Sequence, residues 1–345
     1  MSFGQHRTPL FLCVLVGALL FAFLLSMSSG QYDIPMEAVA ASFAHAAGLP
    51  LFTDVVVTPE QEAVLWHIRL PRTLVGMMVG AGLGVSGAVL QGIFSNPLAD
   101  PGIIGVSSGA SVGAVLAIGI GVTAGSVLTL PAFAFTGAIL AVGLTVSLSM
   151  RRGRIPIMTL LLSGVVVGMF LAACTAAILT VMNEQKMQQY LFWTIGGLDY
   201  RRWDHVLLGI GPIGIGMSIM VLLARHLNLL AFGEVEARAA GMPVTAFRLL
   251  FLVLASLTTA AGVCISGNIG FVGLVVPHMV RLLIGPDHRR LLPVSLLAGA
   301  VFLVLCDSLG RILLHGMEIR VGIMTAFIGT PYFLYLLRRH MKTVV

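Results

Sequence analysis

The stretch RLPRTLVGMMVGAGLGVSGAVLQGIFSNPLADPGIIGVSSGASVGAVLA, residues 69–116, decides how this chain folds. It holds two glycine-rich apolar runs that are interrupted by the polar turn around SNPLAD. In the first run, Gly76, Gly80 and Gly84 recur at helical spacing, which places them on one helix face and lets another backbone approach closely. This spacing indicates tight helix packing in a many-helix bundle and says nothing about a substrate.

The composition of the whole chain is that of a bilayer protein. Hydrophobic residues make up 58% and charged residues 10% of the 345 residues, whereas a soluble domain has about 25% charged residues. The net charge of +6 comes from short basic patches between apolar runs, which the positive-inside rule explains better than nucleic-acid binding. The four cysteines lie in apolar runs without a CxxC pair, so neither a disulfide framework nor a zinc site is indicated, and we expect no metal and no cofactor.

Apolar runs long enough for membrane helices follow one another along the entire chain. A helix that crosses the bilayer needs about 20 apolar residues, and about ten such spans are predicted. The sequence therefore predicts an all-α integral membrane protein that forms one transmembrane domain, 1–345. The predicted spans are 10–29, 73–93, 103–122, 127–149, 157–182, 204–224, 245–266, 270–284, 291–309 and 321–337. The run 270–284 is short, so a re-entrant piece is expected to help it.

The distribution of basic residues orients the spans. With both termini inside, most of the 20 Lys and Arg residues fall on the inner side, as the positive-inside rule requires. The segment 30–68 then becomes a large outer loop in which a short interfacial helix is plausible, and 183–204 becomes a second outer segment rich in Tyr and Trp. Contact with membrane lipid is expected throughout.

The segment 227–244, LNLLAFGEVEARAAGMPV, is the most informative inner loop. Glu234, Glu236 and Arg238 lie on a short run of good helix formers, which Gly241 and Pro243 end. A short amphipathic helix in such a loop can lie in a groove of another protein. A solvated connection between two spans is the alternative. No Walker A motif occurs, because Lys186 follows Gln and Lys342 follows Met, so ATP would have to be bound by a separate subunit.

Ordered strings over most of the chain resemble the permease family of type II ABC importers for vitamin B12, iron–siderophore complexes and haem. The resemblance covers nearly everything from Arg69 to Arg339. Beyond residues 69–116, the matching strings are LLLSG (160–164), LFWTIGGLDYRRW (191–203), LNLLAFGEVEARAAGMPV (227–244), SGNIGFVGLVVPHMVRLLIGPDHRRLLP (266–293) and VGIMTAFIGTPYFLYLLRR (321–339).

The resemblance implies an assembly in which this chain is not an enzyme. A homodimer would enclose the translocation path at its axis, two ATPase subunits would bind inside, and a substrate-binding protein would dock outside. The segment 233–241 matches the coupling helix that rests on the ATPase. The residues expected to carry coupling are Gly233, Glu234, Glu236, Arg238 and Gly241.

Two further elements carry over from the resemblance. Arg69, Arg72 and Arg311 match outward-facing arginines that pair with glutamates on the two lobes of the binding protein. Ile157 and Met158, just before LLLSG, match the cytoplasmic gate, which would be apolar in this chain.

Three ionisable residues near or within spans have open interpretations. Arg320 stands where related permeases often have proline; it is expected to add a docking charge or to face the substrate path. Asp307 and His278 are suspects for function because they lie near or within apolar spans, although hydrogen bonding between helices is favoured for both.

The function predicted from the sequence is import across the bacterial cytoplasmic membrane. An iron chelate, either siderophore or haem, is placed first as cargo and cobalamin second. An ion-coupled secondary carrier is the rival, but such carriers place acidic residues or broken helices at mid-membrane, and Asp307 is the nearest such residue here. A membrane enzyme would need a cluster of His, Cys or carboxylates on facing helices, and the sequence shows none.

Overall fold

The chain folds almost entirely into helices. The computed structural model describes residues 7–314 and 316–344. The α-helices are α1 (Arg7–Ser28), α2 (Met36–Ala46), α3 (Pro59–Ala63), α4 (Leu70–Ile93), α5 (Val106–Ile120), α6 (Thr129–Ser149), α7 (Ile157–Thr180), α8 (Glu184–Ile195), α9 (Trp203–Leu222), α10 (Ala224–Phe232), α11 (Glu234–Ala239), α12 (Val244–Ser266), α13 (Val272–Ile284), α14 (His288–Ile312) and α15 (Val321–Val344). A π-helical turn, Val64–Arg69, joins α3 to α4, and short 3₁₀ turns lie at Pro101–Ile104 and Val122–Ala124.

Apolar helices of membrane-spanning length confirm the predicted architecture. Within the described residues, 7 helices are long and apolar enough to cross a membrane, and three shorter apolar helices, α5, α13 and the Val321–Tyr335 part of α15, accompany them. Each corresponds to one predicted span. The second span is longer than expected, because α3, the π-helical turn and α4 run on as one 35-residue helical stretch, Pro59–Ile93.

Part of the predicted outer loop 30–68 is therefore helical rather than loop. The Thr58 side chain accepts a hydrogen bond from the backbone of Gln61, and the Gln61 side chain accepts one from the backbone of Thr58. This capping box and Pro59 at the first helical position start the helix well before the apolar run. The expected short helix in the same segment is α2.

Helix α4 is the centre of the bundle and packs on α14, α12, α9 and α13. A Cβ added at Gly80 would lie 2.3 Å from the carbonyl oxygen of Gly299 on α14, and one at Gly84 would lie 2.4 Å from that of Ser295. The two backbones therefore touch where the glycine spacing predicted a close contact. At Gly76 the neighbour is instead the Leu198 side chain, 3.0 Å away.

The short span near 270–284 begins after irregular backbone, residues 267–271, that is partly buried in protein. The segment preceding α13 packs beside the turn after α8, where a Cβ at Gly196 would lie 2.6 Å from the carbonyl oxygen of Asn268. Gly197 donates its N–H to the carbonyl of Ser266 over 2.8 Å. Non-helical backbone within a membrane is tolerated only where protein or water satisfies its polar groups, and the hydrogen bond between Gly197 and Ser266 satisfies two of these groups.

Candidate functional sites: the arginine cluster and the coupling end

Arg72 is the centre of a buried ionic cluster at the predicted outer end of the bundle. Its Nε and Nη2 donate to Asp307 on α14 over 3.0 and 2.8 Å. Its Nη1 donates to Glu318 over 2.8 Å, and Nη2 also reaches Asp199 at 3.3 Å. One guanidinium thus joins α4, α14 and the segments that precede α9 and α15. Because an arginine has five N–H donors in a planar fork, it can serve several carboxylates at once.

The other two predicted docking arginines hold the segment that follows α1. Arg69 donates to the backbone carbonyls of Met27 and Tyr32. Arg311 donates to the carbonyl of Ser29 over 3.0 Å and to the Ser26 hydroxyl over 2.7 Å, and it lies 3.3 Å from Asp307. We call Arg69, Arg72, Arg311 and Asp307 the arginine cluster.

All four side chains of the arginine cluster are buried within the single chain. Each arginine therefore binds groups of its own chain and helps to hold its segments together, which was not predicted from the sequence. Docking of the binding protein stays a prediction for all three arginines. The expectation that Asp307 bonds between helices is confirmed. Asp199 and Glu318 were missed as partners, although their signal was present, because acidic residues are concentrated on the predicted outer side.

A cavity of about 630 Å³, lined mainly by charged residues, opens beside the cluster. It is lined by His67, Ile68, Arg72, Asp199, Tyr200, Arg201, Arg202, Glu318 and Arg320. Among the described residues, Arg201 has no carboxylate within 4.0 Å. Its Nη2 donates to the carbonyl of Gly197 over 3.3 Å, and burial lowers its pKa to about 10. Arg202 is the most exposed of these arginines, since 67% of its side chain is accessible. Neither Arg201 nor Arg202 was predicted from the sequence to have a role of its own.

Arg320, whose role the sequence left open, ties α8 to the start of α15. Its Nη1 donates to the carbonyl of Phe192 over 2.8 Å, and its guanidinium lies 4.7 Å from the centre of the Phe192 ring. Its Nη2 is 3.5 Å from Asp199. The side chain thus lines the cavity while it is held by the protein, and the two interpretations, a docking charge or a contact with cargo, both stay predictions.

At the opposite end, the predicted coupling residues form a short helix with an abrupt start and stop. Helix α11 lies between Gly233, at φ +123°, and Gly241, at φ +79°, conformations that side chains other than glycine rarely adopt. Glu234 forms an ion pair with Arg238, one turn later, and accepts a hydrogen bond from it over 2.8 Å. This hydrogen bond holds the pKa of the Glu234 carboxyl below its usual range. Glu236 points to the exposed side.

The exposed face of α11 and the residue just before Gly233 carry apolar side chains among the charged ones. Val235 is 76% exposed and Phe232, just before Gly233, is 75% exposed. Ala237, on the opposite face, is fully buried and seats the helix on the bundle. Exposed apolar residues rimmed by charge are typical of a protein–protein contact. We call α10, α11 and the start of α7 the coupling end.

The predicted gate residues lie at the first turn of α7, which belongs to the same end. Pro156 precedes the helix, Ile157 is half-buried, and Met158 is 79% exposed. The buried Arg248 on α12 connects the two parts of the coupling end. It donates to Glu234 over 3.3 Å and to the carbonyl of Ile155 over 2.8 Å.

No group of three or more His, Cys, Asp or Glu side chains is placed to hold a metal ion within the described parts of the chain. Cys264 and Cys306 are buried, whereas Cys13 is exposed on α1 and Cys174 is half-buried. A surface that faces lipid accepts the same apolar side chains as a core, which is why sequence could not separate the two positions.

Helices long and apolar enough to cross a membrane are the architecture of an integral membrane protein, and comparison with known proteins identifies its family. Residues 6–339 match the FecCD transport family, and the chain belongs to that family. It is therefore a permease protein of the ABC importer class.

Individual relatives agree on this class and differ in cargo. A cobalamin import system permease of Halobacterium salinarum is 46% identical over 87% of this chain and 79% of its own length. A hemin transport system permease of Yersinia pestis is 36% identical over 88% of this chain and 93% of its own. A solved ABC transporter of the metal-chelate type, in an inward-facing conformation, is 33% identical, has a TM-score of 0.84 and covers 96% of this chain and 99% of that chain.

Proposed function

We propose that this chain is the translocating subunit of an importer for a bulky metal chelate, in which a second copy of the chain completes the path. Two ATPase subunits bind at the coupling end, and a substrate-binding protein delivers cargo at the opposite end. The observation that carries the proposal is the FecCD family match along nearly the whole sequence. The location is the cytoplasmic membrane with both termini inside, as the basic residues indicate.

Cobalamin and iron chelates are both supported as cargo. The relative named for cobalamin import is 46% identical, and the one named for hemin transport is 36% identical. The sequence expectation placed iron chelates first, whereas these names favour testing cobalamin and haem side by side. Both are metal macrocycles, so a wide path with weakly binding walls suits either.

The exposed surface of α11 supports contact with an ATPase. Val235 and Phe232 would fill an apolar groove, while Glu236 and Arg238 would meet charges at its rim. The chain itself has no phosphate-binding loop, so the energy of ATP must reach it through such a contact. Movement of the ATPase pair would then shift α11 and open or close the gate.

The exposed face of α7 supports a second copy of the chain. Leu162, Val166 and Met169 are largely exposed along this helix, and Met158 lies at its inner end. Lipid can cover such a face, but a path at a two-fold axis needs one apolar helix from each copy. Ile157 and Met158 would then meet their counterparts and seal the path.

The arginines at the predicted outer end support docking of an acidic partner. Arg72 lines the 630 Å³ cavity, and Arg311 lines a second cavity of about 400 Å³ with Gly30 and Asp33. A glutamate from the binding protein could reach these guanidinium groups, and arginine grips a carboxylate in two places. Electrostatic attraction of this kind acts mainly on the rate and orientation of encounter.

An ion-coupled carrier is disfavoured by the bonding of Asp307. Its carboxylate is already shared by Arg72 and Arg311, so it is not free to bind a proton or sodium during transport.

The test is uptake into vesicles that contain this chain, its ATPase and its binding protein. We expect uptake of either cobalamin or haem that needs ATP inside the vesicle and the binding protein outside. Deleting residues 234–241 should abolish uptake while the chain still inserts, because the contact with the ATPase is lost.

The paired readout is cargo binding by the isolated binding protein, which names the substrate independently of transport. Uptake that persists without ATP and instead follows a proton or sodium gradient would contradict the proposal. So would normal ATP-driven uptake by a well-inserted chain that lacks 234–241.

A further inference from the structure

A chain of hydrogen bonds links the coupling helix α11 to the backbone immediately before the gate helix α7. Glu234 begins α11, and its Oε2 accepts from Nη2 of Arg248 over 3.3 Å. Nη1 of the same guanidinium donates to the carbonyl of Ile155 over 2.8 Å. Two residues after Ile155, α7 begins at Ile157.

Arg248 is buried, and its environment offers little else to bond. Only 7% of its side chain is exposed, and its Nε finds no hydrogen-bond acceptor among the described residues. A buried arginine that loses its partners strongly destabilises the protein, because its charge is then left without compensation away from water. If Glu234 or Ile155 moves, the guanidinium is therefore expected to follow rather than to remain unpaired.

The planar shape of the guanidinium explains why an arginine occupies this position. One Nη faces a side chain on α11 and the other faces a main-chain carbonyl, so the planar, rigid group bridges the two acceptors. A lysine ammonium is a point charge on a flexible stem and cannot hold both acceptors in fixed relative positions.

The short connection from Ile155 to α7 is stiff. Ile155 is fully buried, and Pro156 restricts both its own backbone and that of Ile155. Before it, residues 151 and 154 close a tight turn, in which Arg151 donates its N–H to the carbonyl of Arg154 over 2.9 Å. A displacement of the Ile155 carbonyl is therefore passed to the first turn of α7, which holds Met158.

We propose that Arg248 is a positioning residue that passes the movement of α11 to the gate end of α7. The inference rests on the proposed function, in which α11 receives the movement of the ATPase and Ile157 and Met158 form the gate. An anchor that merely holds the two segments in place is the alternative. The two differ in what happens when nucleotide binds.

The experiment uses the full transporter in vesicles and reads ATP hydrolysis, uptake and the state of the gate. Met158→Cys, in a chain whose four native cysteines are replaced by alanine, is labelled with a small thiol reagent with and without ATP. We expect Arg248→Gln to keep ATP hydrolysis within about twofold, while uptake per ATP falls about tenfold, since contacts in a coupled network change coupling by roughly 2- to 30-fold. The ATP-dependent change in labelling at 158 should disappear.

Four further variants make the result specific. Glu234→Ala should reproduce the loss, and the double variant with Arg248→Gln should be no worse than either alone, because both break one chain. Arg248→Lys should rescue little. Arg281→Gln is the matched control: this half-buried arginine on α13 donates to Gln91 over 3.0 Å and, among the described residues, has no hydrogen bond or ion pair with α11 or with the turn before α7.

The outcomes separate the inference from the proposed function. If ATP changes labelling at 158 and the change survives in both Arg248→Gln and Glu234→Ala, Arg248 is only an anchor and the inference is wrong. Parallel loss of hydrolysis and uptake, with the labelling change intact, leads to the same conclusion. If ATP never changes labelling in the chain with Arg248 and Glu234 intact, the gate assignment itself fails and the inference falls with it.

Discussion

Helices α4 and α7 are both apolar enough to cross a membrane, but their own chain covers them very differently. In the most apolar part of the stretch Pro59–Ile93, 83% of the residues are buried inside the chain, compared with 17% for α7. Mean hydropathy runs the other way, at 1.8 for the first and 2.4 for the second. The helix that is more buried is thus the less hydrophobic one.

The difference shows what holds a membrane bundle together. Lipid tails are as apolar as leucine side chains, so hydrophobicity does not draw α4 into the centre. Close backbone contact through Gly80 and Gly84 and the ionic bonds of Arg72 do so instead. The exposed face of α7 has neither a close backbone contact nor an ionic bond of this kind, which leaves that face available for lipid or for a second copy.

The largest expected effect is at Arg72, which joins α4 to its neighbours. Arg72→Leu leaves Asp307 buried without its main partner and should destabilise the chain by about 3–5 kcal/mol. Arg202→Leu is the control, because that side chain is exposed and lies 4.0 Å from its nearest carboxylate, so its effect should stay within about 0.5 kcal/mol. Thermal unfolding in detergent measures both.

A double variant distinguishes a structural role of Arg72 from a docking role. Arg72→Leu with Asp307→Leu should lose less stability than the sum of the single losses, because the pair is removed together. If Arg72→Leu instead unfolds like the unchanged chain and only its association with the binding protein slows, the arginine serves docking rather than the bundle.

The next effect tests the close contact of α4 with α14. Gly80→Ala places a Cβ 2.3 Å from a backbone oxygen that cannot move aside easily, and overpacking of this kind should cost about 3 kcal/mol. Gly143→Ala on α6 is the matched control, since nothing lies within 4 Å of its added Cβ. It should be neutral or slightly stabilising, because alanine favours a helix by about 0.5–1 kcal/mol. Equal unfolding temperatures for the two variants would refute the contact.

The smallest effect comes from one substitution made in both helices. Leu90→Ala on α4 removes a fully buried side chain and should cost about 2 kcal/mol through lost packing. Leu162→Ala on α7 removes one that is 69% exposed and should change subunit stability by less than about 0.5 kcal/mol. The stability of Leu162→Ala in detergent should also be measured at several protein concentrations. A large loss of stability at low protein concentration, which becomes smaller as the protein concentration rises, would show that a second copy covers α7.

The membrane spans, the class and the family of the protein could be predicted from its sequence. Span length and hydropathy are local properties, so the positions of the ten apolar runs could be read without knowing their neighbours. The short helix at 234–239 could also be predicted, because Gly241 and Pro243 end it through backbone conformation alone. The spacing of Gly80 and Gly84 predicted a close contact, though not with which helix.

The bonding partners of the charged residues could not be predicted, because they depend on how the helices pack. Arg72 and Asp307 are 235 positions apart, and Arg248 and Ile155 are 93 apart. No periodicity in the sequence encodes such pairs, since they arise when distant helices pack. From position alone, Arg69, Arg72 and Arg311 looked like outward charges, and Arg248 looked like one of many inner basic residues. Burial in a low-dielectric interior forces each to find acceptors, and the packing of the helices determines which acceptors those are.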